Sequence, residues 1–265
     1  MRHYVRNISI ALVMTALKVL FLAHYSEFRP SFYLANDLGL GEHYFNTGYM
    51  VTLLMELFPV FIIQFIEGIG IYTHFCTGSD YYFSRQKNRK WWFFKESLRM
   101  GLRILCYFVV YLTISFITPC FWFQTGIQLV ELKLLSYIIL YFALYAFMTA
   151  IWINICSILL GSQTGLIIVY VMQLIFVALL LLFENRIPLE GIGVWLLKIN
   201  PISNIILRWH SSNNIVSEFL NMYQIDFDLN FSVFYFIILI IISILIGVYV
   251  VNRQDISLQN REVIG

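Results

Sequence analysis

The sequence predicts an all-α polytopic membrane protein, six transmembrane helices with both termini cytoplasmic, forming a single transmembrane domain over residues 1–265. Three observations carry that prediction. Hydrophobic residues make up 60% of the chain and charged residues 12%, about half the charged share of a soluble domain. The apolar residues gather into runs of about 20, the length a helix needs to cross the hydrocarbon layer. The 17 lysines and arginines concentrate on alternate connections between those runs, as cytoplasmic loops do. A membrane β-barrel is excluded, because its strands alternate polar and apolar residues, whereas residues 237–246 are apolar at all but one position.

The first run, 7–25, follows Arg2 and Arg6. Its charge imitates a secretory leader, but no small-residue cleavage site follows and the apolar stretch continues through Leu20, Phe21 and Leu22, so it reads as an uncleaved first span. The second run is 49–72. Between it and the third, 100–122, lies the polar segment 77–99, which carries Arg85, Lys87, Arg89, Lys90, Lys95 and Arg99 among Tyr81, Tyr82, Phe83, Trp91, Trp92, Phe93 and Phe94. Too polar to insert, this segment predicts an amphipathic helix at the cytoplasmic interface. Two roles suit it: an aromatic belt with inside-positive anchoring, or a docking surface for a partner.

The remaining runs are 134–160, 166–183 and 231–251, the last followed by Arg253 and Arg261. The intervening segments 24–48, 123–133 and 184–230 are poor in lysine and arginine, which places them outside. Within the longest of them, apolar stretches around 194–199, 202–209 and 215–222 are interrupted by Pro201 and by the polar residues 211–214. They predict short helices lying at the outer interface as a lid. A merely solvated loop would leave Trp195, Leu196, Leu197, Ile205, Ile206 and Leu207 exposed. The two three-span halves show no internal repeat, and no linker divides the chain.

Several function classes drop out on chemistry. A net charge of +2 gives no general attraction to nucleic acid. Cys76, Cys106, Cys120 and Cys156 form no CxxC pair and have no histidine at ligand spacing, so they read as packing residues, with no metal expected. There is no HExxH, no GxSxG and no pair of glutamates to activate water, which argues against an enzyme; His24, His43, His74 and His210 read as isolated interfacial or loop residues. A GxxxxGK[ST] loop is also missing, so any dependence on ATP must come from another polypeptide.

What remains is a small set of polar groups inside spans, where each is costly. Lys18 sits about 11 residues into the first span from the inside and Glu56 about seven into the second from the outside, and at 1.5 Å per residue both approach mid-membrane. A Lys18–Glu56 pair would fix helix register, and coupling to an ion is the alternative role. Glu67 follows Glu56 by about three turns on the same helical face, near the cytoplasmic end, where it can cap or salt-bridge the basic segment or take part in gating. Gln64, Asn154 and Gln173 are candidates for lining a substrate path or for helix-to-helix hydrogen bonds.

With these residues in place, the chain resembles, over nearly its whole length, the permease subunits of ABC exporters of the type 2 (ABC-2) membrane-domain class, especially those serving bacteriocin and lantibiotic immunity or peptide and drug efflux. The likeness rests on the six-span topology, on Glu67 and Gly68 ending the second span, on SRQKNRKWWFFK at 84–95, and on NPISNIILR at 200–208, with Asn200, Pro201 and Arg208 preceded by Trp195. Only residues 1–6 are left for the N-terminal elbow helix of many relatives, so that element is expected to be shortened or merged with the first span. The resemblance implies a coupling helix, formed by Tyr81, Tyr82, Arg85, Lys87, Arg89, Lys90 and Trp91, that docks into a separate ATPase subunit carrying ATP and Mg. It also implies a second permease, identical or homologous, and a bacterial plasma membrane location. On this reading the chain exports a hydrophobic or amphipathic substrate such as an antimicrobial peptide. The rival reading is a non-transporting immunity or sensor protein that binds a peptide at its outer loops.

Overall fold

The helices of the described residues are arranged around one of their number. The computed structural model describes residues 2–22, 30, 47–82, 88–180, 192–207, 210 and 228–253. Among them there is no strand, and the helices run in the order α1 (Arg2–Leu22), α2 (Thr47–Glu67), α3 (Gly70–Tyr82), α4 (Arg89–Trp122), α5 (Leu129–Leu160), α6 (Ser162–Leu179), α7 (Ile192–Ile199), a 3₁₀ turn (Ser203–Ile205) and α8 (Leu229–Arg253). Helix α5 is the hub, packed against α2, α3, α4, α6, α8 and the 3₁₀ turn. Its buried residues, from Leu134 and Tyr141 through Ala150 to Ile158, lie all around its circumference. A helix that is apolar on every face belongs at the middle of a bundle.

The outer helices bury only stripes. On α6 these are Gly165, Val169, Gln173 and Val177, one residue per turn. On α8 they are Leu229, Ser232, Phe236, Ile240, Ser243, Gly247 and Val251. Spacings of three and four keep each set on one face, and the small residues in both stripes let backbones approach closely, as helix pairs in lipid require. The opposite faces, with Ile167, Val171 and Ile175 on α6 and Phe234, Ile238, Ile241 and Leu245 on α8, are exposed and apolar. That combination is stable against lipid and unstable against water.

Among the described residues five helices are long and apolar enough to cross a membrane: Leu53–Cys76, Arg89–Trp122, Leu129–Leu160, Ser162–Leu179 and Leu229–Arg253. The first expected span, 7–25, overlaps α1, whose 21 residues reach about 32 Å at 1.5 Å per residue. Helix α1 is not among those five, and it carries Arg2, Arg6, Asn7 and Lys18. Helix α1 packs on α4, with Ala11 and Met14 in the interface.

Two expected boundaries move. The segment 77–99 was expected to be a helix of its own at the interface; its described residues are instead divided between the end of α3 and the start of α4, while 83–87 lie outside the described residues. Helix α4 begins at Arg89 rather than near 100, with the Asn88 side chain capping the Trp91 N–H. The reason is that the charges of 89–99 occupy faces of a helix whose remaining positions stay apolar. Phe93 is fully buried, Trp92 nearly so, and Phe93 nests where α8 has Gly247, a position at which a Cβ would strike the ring. Polarity in the segment average marked an end that the helical period does not contain.

Helices α5 and α6 are joined by Gly161 alone. Its φ of 93° lies in the region that only glycine occupies without strain. The antiparallel pair then closes at Gly165, where a Cβ would meet the Ser157 backbone nitrogen and hydroxyl. Gly165→Ala is therefore expected to lower stability by about 1–3 kcal/mol through overpacking against backbone that cannot move aside. Gly70→Ala, where nothing lies within 4 Å of the added methyl, is expected to leave the melting temperature in detergent unchanged, and equal melting of both variants would refute this packing.

Candidate functional site

The buried polar groups form three layers between the lysine- and arginine-rich end of the bundle and the opposite end. At the basic end Glu67, 2% exposed, is held from three directions. Asn7 Nδ2 donates to Oε1 at 2.9 Å and Arg6 reaches the same oxygen at 3.2 Å. Arg103 donates to Oε2 through both Nε at 2.8 Å and Nη2 at 2.7 Å. Three turns further along, the Lys18 ammonium meets Glu56 Oε2 at 2.8 Å, both side chains largely buried, and lies 5.9 Å from the centre of the Tyr111 ring.

Eleven residues separate Asn7 from Lys18 on α1, and eleven separate Glu56 from Glu67 on α2. Two antiparallel helices with matching spacings present matching rungs. Helix α4 stands with them and supplies Arg103 to one rung and Tyr111 to the other, so three helices share one register. The expected Lys18–Glu56 pair is present. Among the described residues the side-chain partners of Glu67 come from α1 and from within α4 and none from the basic segment that follows it, which sequence separation concealed.

Immediately after Glu67 the helix breaks at Gly68 and Ile69. Gly68 is required there, since a Cβ would run into the Gln64 carbonyl and Ile153. Asn154 of α5 reaches the backbone just past the break: its Oδ1 accepts from Tyr72 N at 3.0 Å while its Nδ2 donates to the Ala150 carbonyl at 2.8 Å. A side chain from a neighbouring helix thus binds an N–H of the first turn of α3, as a cap does. One layer deeper, Gln64 and Gln173 exchange amide hydrogen bonds at 3.1 Å, Gln64 also donates to Thr149, and Tyr145 donates to Gln173 Oε1 at 2.8 Å. Gln64, Asn154 and Gln173 are all buried; the amides of Gln64 and Gln173 bond to other helices, and that of Asn154 bonds both to α3 and within α5. In this conformation they join helices.

The residues expected to couple to a partner gather at the α3–α4 end. Tyr81 and Tyr82 close α3, while Arg89, Lys90 and Trp91 open α4; Arg85 and Lys87 lie outside the described residues. Phe75 on α3 packs against Trp92 on α4, with ring centres 6.3 Å apart, so the two arms form a hairpin. From Arg103 back to Arg89 is about 21 Å at 1.5 Å per residue. Trp91 stacks on Phe94 and is 61% exposed, an apolar surface turned outward beside Lys90 and Lys95.

At the opposite end, Asn200 ties the polypeptide down in both directions. Its Nδ2 donates to the Phe176 carbonyl of α6 at 2.8 Å and its Oδ1 accepts from Ile202 N at 2.9 Å. Pro201, Ile202, Ile205, Ile206 and Leu207 are buried, unlike the residues of a merely solvated loop, whereas Trp195 and Leu196 face outward. Arg208 lies outside the described residues. Asn204, Ser232 and His210 form a further buried chain here, and His210, expected to be an isolated loop residue, is instead a core residue stacked on Tyr141 at 5.3 Å. The Ser232–His210 contact of 2.8 Å has the reach of a nucleophile and its base, but both side chains are fully buried and the pair serves packing.

Among the described residues no group of three or more histidines, cysteines, aspartates or glutamates could hold a metal ion. The chain matches no protein-family model, no curated protein and no solved structure.

Removing one member of a buried ion pair strands the other, at a cost of about 3–5 kcal/mol. Glu56→Gln is therefore expected to reduce the yield of monodisperse protein in detergent severalfold, and Lys18→Met is expected to restore it. Glu67→Gln is not expected to be rescued by Arg6→Gln, because Arg103 stays unpaired. Wild-type yield of the single Glu56 variant would contradict the pairing.

Proposed function

We propose that this chain is the membrane-spanning subunit of an ATP-driven exporter of the ABC-2 type, six spans with both termini cytoplasmic, in a bacterial plasma membrane. The observation that carries the reading is the α3–α4 hairpin. Two helices continue past the Glu67–Arg103 layer by about 20 Å and place Tyr81, Tyr82, Arg89, Lys90 and Trp91 at or near their ends, with Arg85 and Lys87 in the connection. A basic, aromatic tip on the cytoplasmic side would suit a groove of an ATPase subunit, which would bind ATP and Mg and do the hydrolysis.

The base of the hairpin supports a mechanical role. It is joined to α1 and α2 through Glu67, to α5 through Asn154, and to α8 through the Phe93–Gly247 contact. Movement of the tip by a closing ATPase would be passed to these helices as a rigid-body shift. The apolar outward faces of α6 and α8 leave room for lipids and for a second permease copy or homologue. A hydrophobic or amphipathic cargo such as a peptide fits a bundle of this apolarity better than a small ion.

Charge reversal of Arg85, Lys87, Arg89 and Lys90 together is expected to lower co-purified ATPase activity more than tenfold while the chain itself remains folded, since Lys90 is exposed and makes no buried pair. Purified wild-type protein that is monomeric and carries no ATPase from its native membrane would refute the reading.

A further inference from the structure

Where α1 and α4 leave the apolar layer at the basic end, cations outnumber acids. The two helices run side by side in the same direction: Arg6 of α1 and Arg103 of α4 meet at Glu67, and further along Thr15 Oγ1 lies 3.3 Å from the Tyr111 carbonyl oxygen. One turn toward the helix starts stand His3 on α1 and Arg99 on α4, with Lys95 a turn beyond Arg99. Arg6, Arg103, Glu67 and His74 all lie within electrostatic reach of His3. Among the described residues of this seam, Arg6, Lys95, Arg99 and Arg103 face two carboxylates, Glu67 and Glu96. Glu96 pairs with Arg99 and has His74 Nδ1 at 4.0 Å. The surplus is positive.

That surplus is accessible. The Arg6 and Arg99 side chains are 45% and 52% exposed, whereas Arg103 is 15% exposed. Arg6 gives Glu67 one nitrogen, Nη2, and Arg99 gives Glu96 one, Nη1, so each guanidinium keeps N–H groups for a further acceptor. Depth selects that acceptor. Arg6 directly precedes the apolar run 7–25, and the run 100–122 starts between Arg99 and Arg103, which puts these side chains at the headgroup layer. Beyond them both helices present exposed apolar rows, Val13, Leu17 and Leu20 on α1 and Leu102, Cys106 and Val109 on α4. Spacings of three, four and seven keep each row in line with its arginine. A guanidinium at the head of a lipid-facing apolar row matches a phospholipid, whose phosphate heads its acyl chains.

We propose that Arg6 and Arg99, with His3 and Arg103 beside them, bind the phosphate of an anionic phospholipid at the α1–α4 seam, its acyl chains lying along the two apolar rows. Guanidinium groups take phosphate through paired, charge-assisted hydrogen bonds, and basic pockets between spanning helices are where anionic headgroups settle. A zwitterionic lipid brings its own cation into a site that already has more cations than carboxylates, so the anionic lipid is preferred. Because Arg6 also contacts Glu67, the lipid sits at the base of the α3–α4 hairpin. The inference rests on the membrane-spanning fold and not on the exporter reading.

The test is native mass spectrometry of the full chain in detergent, titrated with phosphatidylglycerol or phosphatidylcholine. The wild type is expected to bind phosphatidylglycerol about tenfold more tightly than phosphatidylcholine. Arg6→Gln with Arg99→Gln is expected to remove that preference, leaving Arg103 to hold Glu67, while Lys133→Gln with Arg253→Gln, an equal loss of charge at exposed positions elsewhere, keeps it. Equal affinity for the two lipids in the wild type overturns the proposal, as does the same loss in both double variants. Inorganic phosphate in large excess is expected not to displace the lipid, and displacement by it overturns the assignment to a lipid. If the arginine variant does not fold, a photoactivatable phosphatidylglycerol on the wild-type chain decides: adducts within residues 3–20 and 95–109 are expected, and adducts confined to other segments overturn the proposal.

Discussion

Placing the Glu67 carboxylate between apolar helices costs several kcal/mol unless charge and hydrogen bonds replace its lost water, and the architecture of the basic end is arranged around that replacement. Two arginines and an asparagine from two other helices converge on it. Because α1 has to bring Asn7 to Glu67 and Lys18 to Glu56 at once, its sliding and its rotation are both fixed. Because Arg103 has to reach the same carboxylate, α4 is fixed with it. The break that follows Glu67 is tolerable for the same reason: backbone freed at this depth must find partners inside the protein, and Asn154 of the central helix is there to provide one.

The layer above works by a different rule. Gln64, Gln173, Thr149 and Tyr145 carry no charge, and their hydrogen bonds join α2, α5 and α6 without the penalty that an unpaired ion would bring. Such contacts are individually modest in membranes. Their value is register, since a shift of either helix by one residue would strand amides in an apolar interior. Ionic rungs at two depths and an amide network between them leave the bundle little freedom to slide, which is what a lever needs if force applied at the α3–α4 tip is to arrive elsewhere.

Much of this was readable in the residues. Runs of about 20 apolar residues gave the long helices, because a helix in lipid must satisfy its own backbone, and the Lys18–Glu56 pair followed from depth alone. The extent of α4 did not, since a window average over 89–99 registers charge, whereas the helix responds to the period that keeps Trp92, Phe93 and Met100 inward. The partners of Glu67 were hidden because Asn7 and Arg103 are distant in sequence and neither has a distinctive neighbourhood. The His210 chain was hidden for a related reason: a histidine surrounded by polar residues in sequence reads as a loop residue, and only the fold shows Ser232 and Tyr141 closing over it. A sharper signal was present in the Asn-Pro and second Asn of 200–204, residues that recur where backbone must be tied down.

If the hairpin is where an ATPase pulls, its tip must lie against that ATPase in living cells. A photo-crosslinking amino acid in place of Tyr82, at the end of α3, measures this directly. The account predicts a covalent adduct with a nucleotide-binding ATPase that disappears when the same residue is moved to the lipid-facing position of Ile238. An adduct with lipid alone, or with a protein that binds no nucleotide, would contradict it.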